Sequence, residues 1–376
     1  MPHPLTELLD HQLRARHCPG ALAHVERDGR VLAREAVGLV RHEGRVMHWD
    51  VRFRVASLTK PVVSVAVLQL VDEGRLDLDA AIGPLLPALA DLRLADGRRP
   101  QRAPTVRDLL RHTSGLAYPF EVPDPALRAP LLGAGLSAAL NGLDSAGFLA
   151  RLAALPLVAE PGTVFRYGYS TDVLGCLVEA LDGQPLGAAL QRRLLGPLGM
   201  AGSGFSVAGC DEGDLAAAFP EDSAWHATIP PIGQRPPGQP AMDSGGGGLV
   251  ARFDDYAAFA RLLAHGGVAQ DGPARGQRLL SEAMLAEMFR NQLPTGVDGP
   301  GAYTGPGFGF GLGLAVRGDA GPAAMPCSAG EGCWSGISGT ALFVQPRERW
   351  FALLFSANMA SRMMARMEFR RAAGRL

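Results

Sequence analysis

The chain has 376 residues, 47% of them hydrophobic and 19% charged, with a net charge of −1. That length and composition can bury a large core, which excludes a disordered chain. The near-neutral charge and the lack of a long basic run argue against nucleic acid or an anionic membrane as partner.

The opening MPHPLTELLDHQLRARH lacks the apolar core of a signal peptide, and no apolar run approaches the roughly eighteen residues of a membrane span. A cytoplasmic protein is the expectation. Residues 4–16 carry Leu5, Leu8, Leu9 and Leu13 at helical spacing and predict a helix. Gly20–Val25 and Arg30–Val37 read as paired strands around the turn Asp28–Gly29. Arg52–Ala56 is a short strand-like lead-in. From Ser57 to Glu73 the residues Val62, Val63, Val65, Val67, Leu68, Leu70 and Val71 predict a mostly buried helix that stops at Gly74. Pro61 fits only in the first turn of a helix, so the helix begins near Ser57.

Further helices are expected over 105–112, 144–154, 170–182, 184–195 and 254–265. The Pro- and Gly-rich stretches 118–136 and 226–248 read as surface loops, of a kind that often borders binding sites. Phe308–Val316, which alternates with glycine, Gly339–Val344 and Trp350–Ser356 read as strands. A basic, Met-rich helix over 358–374 closes the chain. This order predicts an α/β (α+β) fold. A domain made from both ends, 1–80 and 295–376, would hold an antiparallel sheet, and a mostly helical domain, 81–294, would be inserted between them. The active site is expected in the cleft between the two. No internal repeat is visible.

Two residue counts carry information. The five cysteines are scattered without CxxC spacing and read as reduced thiols. Lys60 is the only lysine, so the other 35 of the 36 basic residues are arginine. Arginine does not release its proton, whereas a buried lysine can. The one lysine therefore stands where an ammonium that can deprotonate is useful.

Its neighbours say what for. In Ser57-Leu58-Thr59-Lys60 the first and last residues share a helix face. A serine hydroxyl is a weak nucleophile until a base takes its proton, and a desolvated lysine can be that base. The helix start adds a backbone N–H and a partial positive charge beside any developing oxyanion.

The stretch Phe53–Pro61 resembles the nucleophile segment of class C β-lactamases and family VIII carboxylesterases, members of the serine β-lactamase-like, penicillin-binding-protein superfamily. Further segments resemble the same family in the same order: Val106–Leu116, Pro161–Tyr167, Ser170–Gly175, Pro197–Met200, Gly245–Leu249 and Gly336–Thr340. The resemblance runs from about residue 18 to about residue 358, and implies a β-lactamase/transpeptidase-like fold whose antiparallel sheet is flanked by the terminal helices. It also implies a catalytic tyrosine at Tyr167, whose hydroxyl relays a proton to the leaving group. Tyr169 stands where many relatives have asparagine, so a pocket wall is expected there. The family's third motif, Lys-Thr-Gly in β-lactamases, is matched by Trp334-Ser335-Gly336, which has no cation. An indole suits an acyl or alcohol group better than a carboxylate, which points to esters. The family's oxyanion donors carry over to the N–H groups of Ser57 and Ile337, with Gly336 permitting close approach.

The expectation is therefore a serine hydrolase that cleaves small carboxylic esters through an acyl-serine intermediate. The same nucleophile could serve an acyltransferase, an amidase or peptidase, or a weak β-lactamase, and a non-catalytic sensor or structural member of the fold is a remote alternative. The nine histidines show no ligand spacing, so neither a metal nor a cofactor is expected. His112 reads as a helix end rather than a base. No Gly-x-Ser-x-Gly elbow is present. The sequence leaves the oligomeric state open.

Overall fold

The hairpin expected near the N-terminus is made by β1 (Gly20–Arg27) and β2 (Arg30–Gly38). Its two turn residues, Asp28 and Gly29, both have positive φ, the conformation that a two-residue hairpin turn requires. In this computed structural model, which describes residues 4–136, 142–205, 212–222, 242–319 and 321–376, the other strands are β3 (Arg52–Arg54), β4 (Val250–Arg252), β5 (Phe308–Phe310), β6 (Ala315–Arg317), β7 (Gly332–Ser335), β8 (Ala341–Gln345) and β9 (Trp350–Ser356). Seven of them form an antiparallel sheet in the order β2-β1-β9-β8-β7-β6-β5, and β3 and β4 pair separately. The first strand lies beside the last, in register from Ala21–Ser356 to Arg27–Trp350.

Strand alternation explains why β9 is buried throughout. Phe355 packs on Phe253 and Tyr256 of the helix Phe253–Ala264. On the other face, Trp350 lies under the guanidinium of Arg370, and Phe343, paired with Ala352, meets Phe369. Both of these partners belong to the closing helix Arg362–Ala373. The N-terminal helix Pro4–Arg14 packs against that closing helix. The antiparallel sheet flanked by terminal helices is thus present as expected.

Several local readings differ from the structure. The helix Phe253–Ala264 falls within the expected helical segment 81–294 but packs on β8 and β9, because Phe253, Tyr256 and Phe259 are an apolar face that the sheet buries. The stretch 118–136 is not all loop. Asp124 caps a helix over Pro125–Gly133, with Pro125 at the position where proline is tolerated. Phe308–Val316 is two strands rather than one, because Gly313 turns the chain at φ +97. Of the other glycine- and proline-rich stretch, 226–248, residues 226–241 lie outside the described residues. Among the described residues no single helix is long and apolar enough to cross a membrane.

Asp108 anchors the connection that carries the chain from the helix Val106–Leu110 towards the site. Its buried carboxylate accepts from the N–H and hydroxyl of Thr105, from Arg102, from Arg111 at 2.9 Å and from Thr113 at 2.9 Å. Burial alone would raise its pKa, but these donors, Arg102 first, outweigh it and hold the carboxyl at about 2. Replacing Asp108 with Asn should therefore cost roughly 2 kcal/mol of stability at neutral pH. The folded-state pKa lies below the unfolded one, so this stabilisation is present above about pH 4 and is lost as pH falls towards 2. Urea unfolding of both proteins across that range measures it, and a difference that did not depend on pH would assign the loss to packing instead.

Candidate active site

The site is built on a tight turn. Strand β3 ends at Arg54, Ala56 takes the left-handed conformation at φ +47, and a 3₁₀ turn over Ala56–Leu58 leads into the helix Thr59–Asp72. A non-glycine residue in that conformation costs on the order of 1 kcal/mol, and distant segments hold it there. Thr59 Oγ1 donates to Ala56 O at 2.7 Å and accepts from Leu249 N. Tyr256 Oη donates to Leu58 O at 2.8 Å. Ser338 Oγ and Thr340 Oγ1 donate to the carbonyls of Arg54 and Val55 at 2.6 and 3.0 Å. Ser57 is left half-buried at the start of the helix.

Lys60 is buried one turn on, at 1% exposure. Its Nζ lies 3.4 Å from Ser57 Oγ, 3.4 Å from Tyr118 Oη and 2.5 Å from the carbonyl oxygen of Gly246, and 4.5 Å from the ring centre of Tyr167. These hydrogen-bond partners are all neutral.

Sequence reasoning did not single out Tyr118 or the carbonyl of Gly246. Tyr118 sits in a stretch read as a loop, and a carbonyl has no sequence signature. Asp172 fixes that carbonyl by accepting from Gly246 N at 2.9 Å and from Ser244 Oγ at 2.6 Å. A Cβ on Gly246 would fall 2.3 Å from Asp172 Oδ2, so the glycine run is a packing requirement.

Tyr167 is 5% exposed and its Oη accepts from Trp334 Nε1 at 3.3 Å. Trp334 is therefore more than an apolar wall, because it also orients the tyrosine. Tyr118, Tyr303 and His112 pack around Tyr167, with ring centres 4.8 to 5.4 Å away, and Tyr169 packs on Tyr118 at 4.7 Å. Burial, reinforced by the charge of Asp172, pushes the phenols of Tyr118 and Tyr169 up, so both stay protonated. Burial, with the Lys60 charge adding to it, holds His112 well below its usual pKa. Neither of its ring nitrogens has a hydrogen-bond partner.

A Cβ on Gly336 would meet Val55 O at 2.3 Å, so the segment after β7 packs closely on the turn that carries Ser57. The N–H of Ile337 follows directly. A cation does reach this motif, from thirty-one residues downstream: Arg366 of the closing helix donates to Ser335 Oγ. Burial raises the thiols of Cys18 and Cys333 to about 12, which makes them inert as nucleophiles at neutral pH. Among the described residues no group of three or more His, Cys, Asp or Glu is placed to hold a metal.

A model of the family described as "Beta-lactamase" matches residues 5–375. The chain belongs to the β-lactamase family. It is 36% identical over 375 residues to esterase EstB of Burkholderia gladioli, covering 95% of this chain and 90% of that protein. Among solved structures it resembles EstCE1, described as a hydrolase with promiscuous acyltransferase activity, with a TM-score of 0.81 and 28% identity over 98% of this chain and 97% of that one. It shares its fold with a mutant of the simvastatin synthase LovD of Aspergillus terreus, with a TM-score of 0.77 at 22% identity over 99% and 96% of the two chains.

Gly246→Ala tests how Lys60 is held. The added methyl must push the loop off Asp172 and carry the Lys60-binding carbonyl with it. A misplacement on the order of 1 Å should cost about a hundredfold in turnover, and the overpacking should also lower the unfolding midpoint. Kinetics and thermal unfolding of the one variant measure both, and unchanged turnover would remove Gly246 from the site.

Proposed function

We propose that this protein is a serine hydrolase of the carboxylesterase type that cleaves small carboxylic esters with Ser57 as nucleophile. The observation that carries the reading is the one lysine of the chain, buried among neutral groups with its amine 3.4 Å from Ser57 Oγ at the start of a helix. In this reading the ester enters a cleft between the sheet domain and the helical segment. Lys60, assisted by Tyr167, takes the proton of Ser57 as Oγ attacks the carbonyl carbon. The N–H groups of Ser57 and Ile337 receive the oxyanion, each such donor being worth roughly 3 kcal/mol. The alcohol leaves with a proton passed through Tyr167, and water then cleaves the acyl-enzyme by the reverse relay. Lys60 and Tyr167 act as one coupled pair in this scheme. Tyr118, held as a neutral phenol, accepts from Lys60 Nζ and keeps the amine in place, and Tyr169 walls the pocket.

The aromatic lining suits an ester with apolar substituents. The relationship to esterase EstB over nearly the whole of both chains supports ester hydrolysis. An acyltransferase would use the same acyl-enzyme with an alcohol in place of water, and the likeness to EstCE1 makes that the reading to weigh against hydrolysis. The four described cysteines are unpaired, which fits a reducing compartment, and a cytoplasmic location is part of the proposal.

Ser57→Ala should abolish hydrolysis of p-nitrophenyl butyrate, and Tyr167→Phe should reduce it by on the order of a thousandfold. A spectrophotometric assay of the three proteins is the test, and equal activity of wild type and Ser57→Ala would place the chemistry elsewhere. Adding an alcohol acceptor to the same assay separates transfer from hydrolysis by the ester product formed.

A further inference from the structure

Tyr303 is a candidate for limiting what the site admits. It lies in the short helix Gly301–Thr304, and its half-buried ring packs on Tyr167 at 5.2 Å and on Trp334 at 5.8 Å between ring centres. Its hydroxyl donates to the carboxylate of Glu121, 182 residues away in sequence, on the turn Pro119–Glu121 that follows Tyr118. One bond therefore ties two separate loops beside the aromatic cage. Tyr303 and Glu121 also line a cavity of about 310 Å³ whose other walls include Phe165, Arg166, Val297 and Asp298. Neither Ser57 nor Lys60 reaches that cavity. Tyr303 thus borders the cage and the cavity together.

We propose that Tyr303 is a specificity-determining residue: its ring is the partition that limits the size of the ester's alcohol, and the cavity beyond it is room that a bulkier alcohol would occupy. The alcohol is the part concerned because Tyr303 packs against Tyr167, the group through which the leaving oxygen receives its proton. The inference rests on the serine-hydrolase reading above. In the step that it governs, the bond from Ser57 Oγ to the acyl carbon forms, the bond from that carbon to the alcohol oxygen breaks, and the alcohol leaves with the proton that Ser57 gave up.

Acetate esters isolate that step, because every one of them leaves the same acetyl-enzyme. The measurement is the ratio of kcat/KM for 4-methylumbelliferyl acetate to that for vinyl acetate, with the acetyl group located by peptide mapping. Tyr303→Ala should raise the ratio at least about tenfold, the scale of pocket-size discrimination. Tyr303→Leu, a milder loss of the ring, should raise it in the same direction. Tyr303→Phe keeps the ring and loses the bond to Glu121, so its ratio should stay within about twofold of wild type, a range too small for a change of pocket size. Ratios for the Ala and Leu variants that match wild type, or a Phe ratio that rises with them, overturn the partition. If acetyl on Ser57 accompanies such a result, the nucleophile stands and only the partition falls. If Ser57→Ala hydrolyses both esters as fast as the wild type, the hydrolase reading fails and this inference with it.

Discussion

One lysine amine, buried with no carboxylate partner among the described residues, organises this protein. Taking a lysine out of water is costly, and a neighbouring carboxylate would offset that cost only by locking the proton in place. Here the partners of the amine are a backbone carbonyl, two hydroxyls and the face of a tyrosine ring. The carbonyl belongs to a glycine run that Asp172 holds from the helix Ser170–Asp182. Asp172 thus acts on Lys60 through that loop and not by direct contact.

The second constraint is the turn beneath the serine. Ala56 has a strained backbone, and the hydrogen bonds that hold it come from the helix Phe253–Ala264, from the segment at Leu249 and from the turn after β7. These segments are far apart in the chain; the pairing of β3 with β4 brings Leu249 and the helix Phe253–Ala264 to the turn, and the loop between β7 and β8 meets it from the large sheet. Fold and site therefore depend on the same long-range contacts. A site held in this way is pre-organised, since its geometry is set before any substrate arrives.

Around this centre the side chains are aromatic rather than ionic. Tyr118, Tyr167, Tyr303, Trp334 and Phe310 form a continuous cage. Ring faces and edges give the cage its geometry, and one hydrogen bond, from Trp334 to Tyr167, fixes a hydroxyl within it. The cation near the third motif, Arg366, comes from the closing helix and bonds to Ser335 rather than standing in the motif itself.

The sequence by itself determined the local parts. Spacing placed Ser57 and Lys60 on one helix face, Pro61 marked where that helix starts, and the ordered motifs placed Tyr167, Trp334 and Ile337 in one family pattern. Helix boundaries were legible wherever caps and apolar periodicity agreed, as at Ser145–Ala153 and Ser170–Asp182. Asp124 and Pro125, a cap followed by a first-turn proline, were legible too but were outweighed by the glycines and prolines around them. What only the tertiary structure decided is which groups reach the ammonium. The carbonyl of Gly246, the hydroxyl of Tyr118 and the clasp between Tyr303 and Glu121 join residues 58 to 186 positions apart. Such contacts leave no periodicity in the chain, because their spacing is set by how the sheet closes and not by the repeat of a helix or a strand.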